Sequence, residues 1–372
     1  MLTLTDISLQ FAGDLLYKHV DLIFQPDHCY GIIGANGAGK STFLRILTGE
    51  LDSTNGSVTI DPTKRVSVLK QNQNAYDDYT VMDTVIMGNA HLYEVMKEKD
   101  AIYEKPDFTD EDGLRAADLE AEFAELGGWE AESDASRLLQ GLGIGTELHY
   151  EQMASVDPRL KVKILLAQAL FGNPDIVMLD EPTNNLDIEA INWLEDFLLD
   201  FPGMVIAVSH DRHFLNTVCT HTVDIDYGKI KMYVGNYDFW YESSQMVQAM
   251  LRNKNKRNQE KIEELQLFIQ RFSANKAKAK QATARRKLLD KLTVEEMPCS
   301  TRRYPFVGFQ PERELGKDVL TVKDVSVTVD GVKLLDKVYF SVNRGDKIAF
   351  VGENELAQTA LFKICLLYTS DA

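Results

Sequence analysis

The residues with the clearest chemical meaning form a glycine-rich loop, Gly34-Ala35-Asn36-Gly37-Ala38-Gly39-Lys40-Ser41. This is a complete P-loop pattern, whose glycines let backbone N–H groups close around phosphate oxygens. Its lysine supplies a cation to the β and γ phosphates, and its serine hydroxyl can ligate Mg²⁺. An apolar run at 29–33 predicts a strand before the loop, and the pattern at 41–47 predicts a helix after it. The sequence therefore predicts a nucleotide site that extends to Thr42.

Two carboxylates follow a buried apolar run at 176–179. Asp180 is positioned to hold Mg²⁺, directly or through water, and Glu181 to polarise an attacking water as a general base. Alone, this pair would be interpreted as a core strand followed by solvated acids. Because a P-loop lies about 140 residues upstream, the catalytic interpretation is favoured.

Three further side chains are candidates only in combination with that site. His210 follows a second apolar run and could hydrogen-bond a γ-phosphate, although a lone histidine at a strand end is more often structural. Gln71 follows a predicted strand at 66–69 and could reach Mg²⁺ or the attacking water. Phe11 could stack on adenine, although by itself it would be assigned to the core.

A damaged copy of the loop returns 318 residues later as Gly352-Glu353-Asn354-Glu355-Leu356-Ala357-Gln358-Thr359. Glutamine replaces its lysine, and alanine replaces its last glycine. The match holds at one constant offset from Leu2 to Ile46, which indicates two copies of one domain. It stops after Ile364, so we expect a chain truncated early in its second copy, with residues 365–372 as a non-native tail.

Charge is distributed unevenly along the 372 residues. The net charge of −17 argues against non-specific nucleic-acid binding by the whole chain. Residues 94–134 are strongly acidic, whereas residues 251–291 carry thirteen Lys or Arg against four Asp or Glu. This contrast indicates that the basic segment has a role of its own.

The remaining composition favours a cytoplasmic protein. No apolar run is long enough to span a membrane, and the N-terminus has no secretory pattern. The cysteines, at positions 29, 219, 299 and 365, have no metal-ligand spacing, so buried reduced thiols are expected.

Strands that alternate with helices predict an α/β fold with a mostly parallel sheet covered on its faces. Residues 2–10 alternate like an antiparallel edge strand, and residues 80–143 are helical and acidic. We expect a first domain at 1–244 with a helical insert near 92–130, and a basic helical hairpin at 245–297 that turns at Ser273-Ala274-Asn275. The second, degenerate domain would then occupy 298–364.

These motifs resemble an ATP-binding cassette domain. Residues 34–42, Gln71, 179–187 and Ser209-His210-Asp211 look like its Walker A, Q-loop, Walker B with D-loop, and switch histidine. Two cassettes in one chain, an arm-like insert and a basic helical linker are similar to the ABC-F family. That resemblance implies an ATPase that uses ATP and Mg²⁺ and acts as a clamp on the ribosome. Its linker, here 251–291, would approach ribosomal RNA or tRNA.

One departure concerns the Leu-Ser-Gly-Gly signature of such cassettes, where this chain has Val156-Asp157-Pro158-Arg159-Leu160. Asp157 and Pro158 can still start a helix, but the glycines that approach a γ-phosphate are absent. In a head-to-tail pair of cassettes the damaged loop would face this damaged signature. We therefore expect one hydrolytic site, built on Lys40 with the Asp180, Glu181 and His210 cluster, and weak or no turnover by this chain alone.

Two other functions share the same P-loop. One is the ATP-binding subunit of an ABC transporter, which needs neither a fused second cassette nor a basic linker. The other is a ribosome-protecting antibiotic-resistance factor, which no residue at the predicted hairpin turn identifies. A solvated hairpin with no partner is the remaining alternative for the linker.

Overall fold

The computed structural model describes residues 1–11, 14–70, 72–226, 228–272, 316–329, 331–352 and 354–366. The chain divides into two units, Met1–Arg303 and Tyr304–Ala372. Among the helices of the described residues, none combines the length and apolarity that crossing a membrane requires.

The first unit contains a six-stranded sheet in the order β5-β6-β7-β3-β8-β9. Its strands are β3 (Cys29–Gly34), β5 (Val66–Val68), β6 (Ile176–Asp180), β7 (Met204–Val208), β8 (His221–Asp226) and β9 (Lys229–Val234). The first five strands in spatial order run parallel, and β9 is antiparallel to β8. The central strands β3, β6 and β7 are almost wholly buried, because helices cover parallel sheets on both faces. The predicted α/β fold is confirmed.

A separate antiparallel sheet has the order β2-β1-β4, formed by β1 (Leu2–Phe11), β2 (Asp14–Phe24) and β4 (Asn55–Ile60). The prediction that residues 2–10 form an edge strand is wrong, because β1 pairs on both sides. Alternation indicates only that one face of the strand is buried, as it is at Leu2 and Leu4. Central and edge positions give the same alternation in such a sheet.

Before residue 237, the described part of the first unit contains eight α-helices. They are α1 (Lys40–Leu47), α2 (Val81–Ile86), α3 (Ala90–Tyr103), α4 (Asp110–Glu125), α5 (Ala131–Gly141), α6 (Pro158–Leu170), α7 (Ile188–Leu199) and α8 (Arg212–Val218). The helical prediction for 80–143 is confirmed by α2 to α5. Within it, α3 and α4 pack as a hairpin fastened by the Arg115 guanidinium, which binds both oxygens of Glu98 at 2.8 and 2.9 Å.

The long helix α9 spans Tyr237–Phe272 and begins eight residues before the predicted start of the hairpin. Trp240 anchors it, because this ring is 5% exposed and its Nε1 donates to Asp224 Oδ2 at 3.2 Å. The predicted turn at 273–275 and the second helix of the hairpin lie outside the described residues.

The second unit contains an antiparallel pair, β10 (Asp318–Val329) and β11 (Val332–Asn343), followed by helix α10 (Glu355–Cys365). These elements carry the repeat that the sequence indicates. Within the described part of this unit, residues 347–351 before the damaged loop form no strand.

Candidate phosphate-binding site

The candidate site lies at the carboxyl edge of the parallel sheet. Strands β6, β7 and β3 are neighbours there, and Val208 at the end of β7 pairs with both Asp180 and Ile32. Since adjacent strands lie about 4.8 Å apart, the end of β6 is about 10 Å from the end of β3. The sheet therefore brings the glycine loop and the two carboxylates to one edge, although they are distant in sequence.

The loop between β3 and α1 has a backbone that requires its glycines. Gly37 and Gly39 have φ angles of +80° and +91°, which side chains strongly disfavour. A Cβ atom on Gly34 would lie 2.8 Å from the carbonyl oxygen of Ile225 on the neighbouring strand. The loop can therefore curl tightly at the start of α1.

The start of α1 is open to an anion. Its first residue is Lys40, and within the described residues no side chain caps its N-terminus. Backbone N–H groups of a first helical turn have no intrahelical acceptor, and the helix dipole favours negative charge there. Ser41 and Thr42 lie in this turn. The Lys40 ammonium donates to the carbonyls of Gly34 and Ala35, both at 3.2 Å, so it is held across the loop.

Glu181 and His210 contact each other beside the loop. The backbone N–H of His210 donates to Glu181 Oε2 at 3.2 Å, and its Nε2 lies 3.6 Å from Oε1. Glu181 itself has a φ angle of +50°, an uncommon conformation for a residue with a side chain. Its N–H donates to Val208 O at 2.9 Å, which fixes that backbone. Strain of this kind concentrates at functional sites.

These groups share one groove of about 490 Å³. It is lined by Leu16, Asn36, Gly37, Gly39, Lys40, Ser41, Thr42, Glu181 and His210. The structure thus brings together the loop, the general-base candidate and the histidine. Asp180, the metal-ligand candidate, ends β6 immediately before Glu181. Gln71 and the side chain of Phe11 lie outside what the structure describes, so their predicted roles stay predictions.

Sequence analysis missed Leu16. This residue reaches the groove from β2, where it is one apolar residue in an apolar strand and gives no local signal.

A lysine on α6 was also missed as a partner of the loop after Glu181. Lys163 is 6% exposed, and its ammonium donates to Asp187 Oδ2. The other oxygen of Asp187 caps α7 by accepting from Ala190 N at 2.8 Å. Burial opposes ionisation of Asp187, but these hydrogen bonds outweigh it, so the pKa of this carboxyl is lowered. Lys163 therefore fastens the end of the 182–187 loop to α6.

The damaged loop of the second unit has a different backbone. Gln358 Nε2 donates to Gly352 O at 2.9 Å, in the place where Lys40 contacts Gly34. Helix α10 nevertheless begins at Glu355, three residues earlier than α1 begins in the repeat frame. Asn354 caps it by accepting from Ala357 N at 3.1 Å. In the second unit, the residues that correspond to the phosphate-binding curl of the intact loop therefore form the first turn of a helix.

The altered signature segment forms the start of α6. Asp157 is its N-cap and accepts from Arg159 N at 2.8 Å, and Pro158 occupies the first turn. The prediction for this helix start is confirmed. Asp157 is exposed to solvent at this helix start.

Two buried cysteines agree with the expected reduced thiols. Cys29 and Cys219 are free and buried, with their sulfur atoms 3.6 Å apart. The hydrogen bond to Cys219 and burial raise the pKa of Cys29. Cys365 is partly exposed, and Cys299 lies outside the described residues. Within the described ranges, no group of three or more His, Cys, Asp or Glu side chains could hold a metal ion.

Comparison with known proteins identifies the relatives of the chain. A family model described as ABC transporter matches residues 17–184, and a second model with the same description matches 223–307. YkpA of Bacillus subtilis strain 168, an uncharacterized ABC transporter ATP-binding protein, is 59% identical over 98% of this chain and 67% of its own length. YbiT of Escherichia coli O157:H7, a probable ATP-binding protein, is 43% identical over 98% of this chain and 68% of its own. The solved ATP-binding subunit of an ABC transporter superposes with a TM-score of 0.50 at 17% identity, covering 66% of this chain and 93% of that one, which supports the fold alone.

Proposed function

This chain belongs to the ATP-binding cassette family and is an ATP-binding protein, and we propose that it is an ABC-F type ATPase that acts on the ribosome in the cytoplasm to modulate translation. The observation that carries the proposal is α9, which continues from the anchored Trp240 into the basic segment 251–291. Lys256 and Arg257 are exposed on it. A cassette with such an extension can couple nucleotide binding to contact with phosphate-rich RNA.

In this proposal the 34–42 loop holds the phosphates of ATP. The uncapped first turn of α1 offers its N–H groups, and Lys40 moves from the loop carbonyls to the β and γ phosphates. Phe11 would stack on the adenine. The left-handed backbone at Gly37 and Gly39 supports this fit, because such a conformation allows successive N–H groups to line an anion-binding concavity.

Oxygen donors suited to Mg²⁺ adjoin that loop. The Ser41 hydroxyl and the Asp180 carboxylate are hard oxygen ligands of the kind that this ion prefers, with Gln71 as a third candidate. Bound there, Mg²⁺ would neutralise charge on the β and γ phosphates. Glu181 would accept a proton from the attacking water, and His210 would hold both Glu181 and the γ-phosphate.

Co-sedimentation with purified ribosomes tests the ribosomal assignment. We expect association that weakens steeply as salt rises, because neutralised phosphates release counterions. Reversing Arg285, Arg286 and Lys287 to glutamate should reduce association. The slope of the logarithm of the association constant against the logarithm of the salt concentration should become shallower by about two to three. A matched control reverses Lys323, Lys347 and Lys363, which are exposed on the second unit and change the charge by the same amount.

Association that survives the first triple change, or that both triple changes weaken equally, would contradict the role of the linker. A transporter subunit is the second candidate, because the Bacillus subtilis relative carries that description. It would instead show nucleotide-dependent binding to a membrane protein and none to ribosomes.

A further inference from the structure

A second groove, of about 270 Å³, lies at the C-terminal end of α7. Its lining combines three aromatic rings with two carboxylates: Trp193, Phe197 and Phe201, with Asp196 and Asp200. None of these residues takes part in the phosphate site.

The three rings form a ladder that begins on α7 and continues just past its C-terminal end. The centroids of Trp193 and Phe197 are 5.3 Å apart with planes at 25°, and those of Phe197 and Phe201 are 6.2 Å apart at 32°. Two glycines make room for it, because a Cβ on Gly141 would lie 2.1 Å from the Trp193 indole and one on Gly203 would lie 2.5 Å from the Phe201 ring. The rings are therefore preorganised, which reduces the entropy lost when a ligand binds.

Both charged side chains that line this groove are acidic. Asp196, in the last turn of α7, and Asp200, its C-cap, are exposed and four residues apart, a spacing at which like charges repel. They also flank the C-terminus of α7, whose dipole is negative, and no basic residue lies in its last turn. Within the described ranges neither carboxylate has an ion-pair partner. A cation bound here would relieve the repulsion between the two carboxylates and the repulsion of each carboxylate by the helix dipole.

We propose that this groove docks an arginine side chain carried on a basic segment of a partner protein. A planar guanidinium can pack against an aromatic ring of this ladder while its N–H groups bind a carboxylate. An ammonium group lacks the planar face and the paired donors. The proposal adds a contact that involves neither the ATP groove nor α9.

The test follows the indole N–H resonance of Trp193 by NMR during titration with acetyl-Gly-Arg-Gly-Arg-Gly-amide. The chain has three tryptophans, so Trp193→Phe assigns the resonance. We expect a saturable shift, and a Kd weakened about tenfold in the Asp196→Asn, Asp200→Asn double variant. A matched control, Asp110→Asn with Glu111→Gln, removes two exposed charges from the start of α4 and should leave the Kd unchanged.

Four outcomes would overturn the proposal. The Trp193 resonance does not shift when the peptide is added, or the control substitutions weaken binding as much as the two substitutions in the groove. Alternatively, a lysine peptide of the same length or spermidine binds as tightly as the arginine peptide. Finally, reversing Arg285 and Arg286 to glutamate moves the Trp193 resonance without added peptide, which would make the occupant the basic segment of this chain.

Discussion

Alanine at both Gly37 and Gly39 should remove most of the ATP affinity of the first unit while the unit stays folded. Both residues have left-handed φ angles, +80° and +91°. Holding an L-residue in that region costs about 1–2 kcal/mol per position. The two substitutions together therefore disfavour the phosphate-binding conformation by about 2–4 kcal/mol, which corresponds to a loss of roughly 30- to 1,000-fold in affinity.

The second unit shows how the substituted 34–42 loop could relieve this strain when no ATP is bound. There the positions equivalent to Gly37 and Gly39 are Glu355 and Ala357, and both are helical residues in α10. A substituted loop that extends α1 in the same way is free of this backbone strain when no ligand is bound. ATP can then bind only after the added helical residues unwind. We expect a small gain in helical circular dichroism to accompany the loss of affinity.

Calorimetric titration with ATP and Mg²⁺, paired with thermal unfolding, measures both effects. Gly49→Ala is the matched control, because Gly49 also has a left-handed φ of +74° and nothing within 4 Å of an added Cβ. Gly49→Ala should lower stability by about 1–2 kcal/mol and leave ATP affinity unchanged. An affinity of the Gly37→Ala, Gly39→Ala variant within threefold of wild type would refute the reasoning.

Three further predictions follow from single contacts. Lys40→Ala should weaken ATP binding sharply, since it removes the phosphate cation, and unchanged calorimetric affinity would contradict the assignment of the loop. Lys163→Met should cost about 1–3 kcal/mol of unfolding free energy in urea titration, less than a fully buried pair because Asp187 is half exposed, whereas Lys163→Arg should recover most of it. His213→Gln should destabilise the protein in acid only. Protonated His213 donates through Nδ1 to the Glu195 carboxylate, and this hydrogen bond raises the pKa of His213. The stabilisation is therefore full below the unfolded pKa and is lost as pH rises through the folded pKa. If His213→Gln destabilised the protein equally at pH 5.5 and pH 9, a stabilising contact between protonated His213 and Glu195 would be excluded.

The local part of the site is predictable from sequence because one short segment encodes it. The glycines, Lys40 and the flanking strand and helix all lie within 29–47, and each carries its own pattern. The same holds for Asp180 and Glu181, since an apolar strand that ends in two acids already fixes which side chains emerge at the sheet edge.

The contacts that sequence could not supply join segments far apart in the chain. Leu16 enters the groove because β2 pairs with β1, and periodicity along β2 contains no information on that placement. Lys163 lies on an apolar helix, where a lysine is normally expected to reach solvent, and only the fold shows that Asp187 receives it. The central position of β1 depends in the same way on β4, which lies more than forty residues away.

Repairing the damaged loop should not create a second ATP site in this chain. With Lys40→Ala to silence the first site, Gln358→Lys would restore the cation, and Ala357→Gly would restore one left-handed position. The intact site, however, also depends on neighbouring strands. Gly34 closes against Ile225 on β8, and Glu181 and His210 come from the ends of β6 and β7. Within the described residues of the second unit, β10 and β11 are the strands present, and residues 347–351 form none. The triple variant should therefore bind ATP no better than Lys40→Ala alone in calorimetric titration. Recovery of even a tenth of the wild-type affinity would show that a P-loop sequence forms its site without the sheet around it.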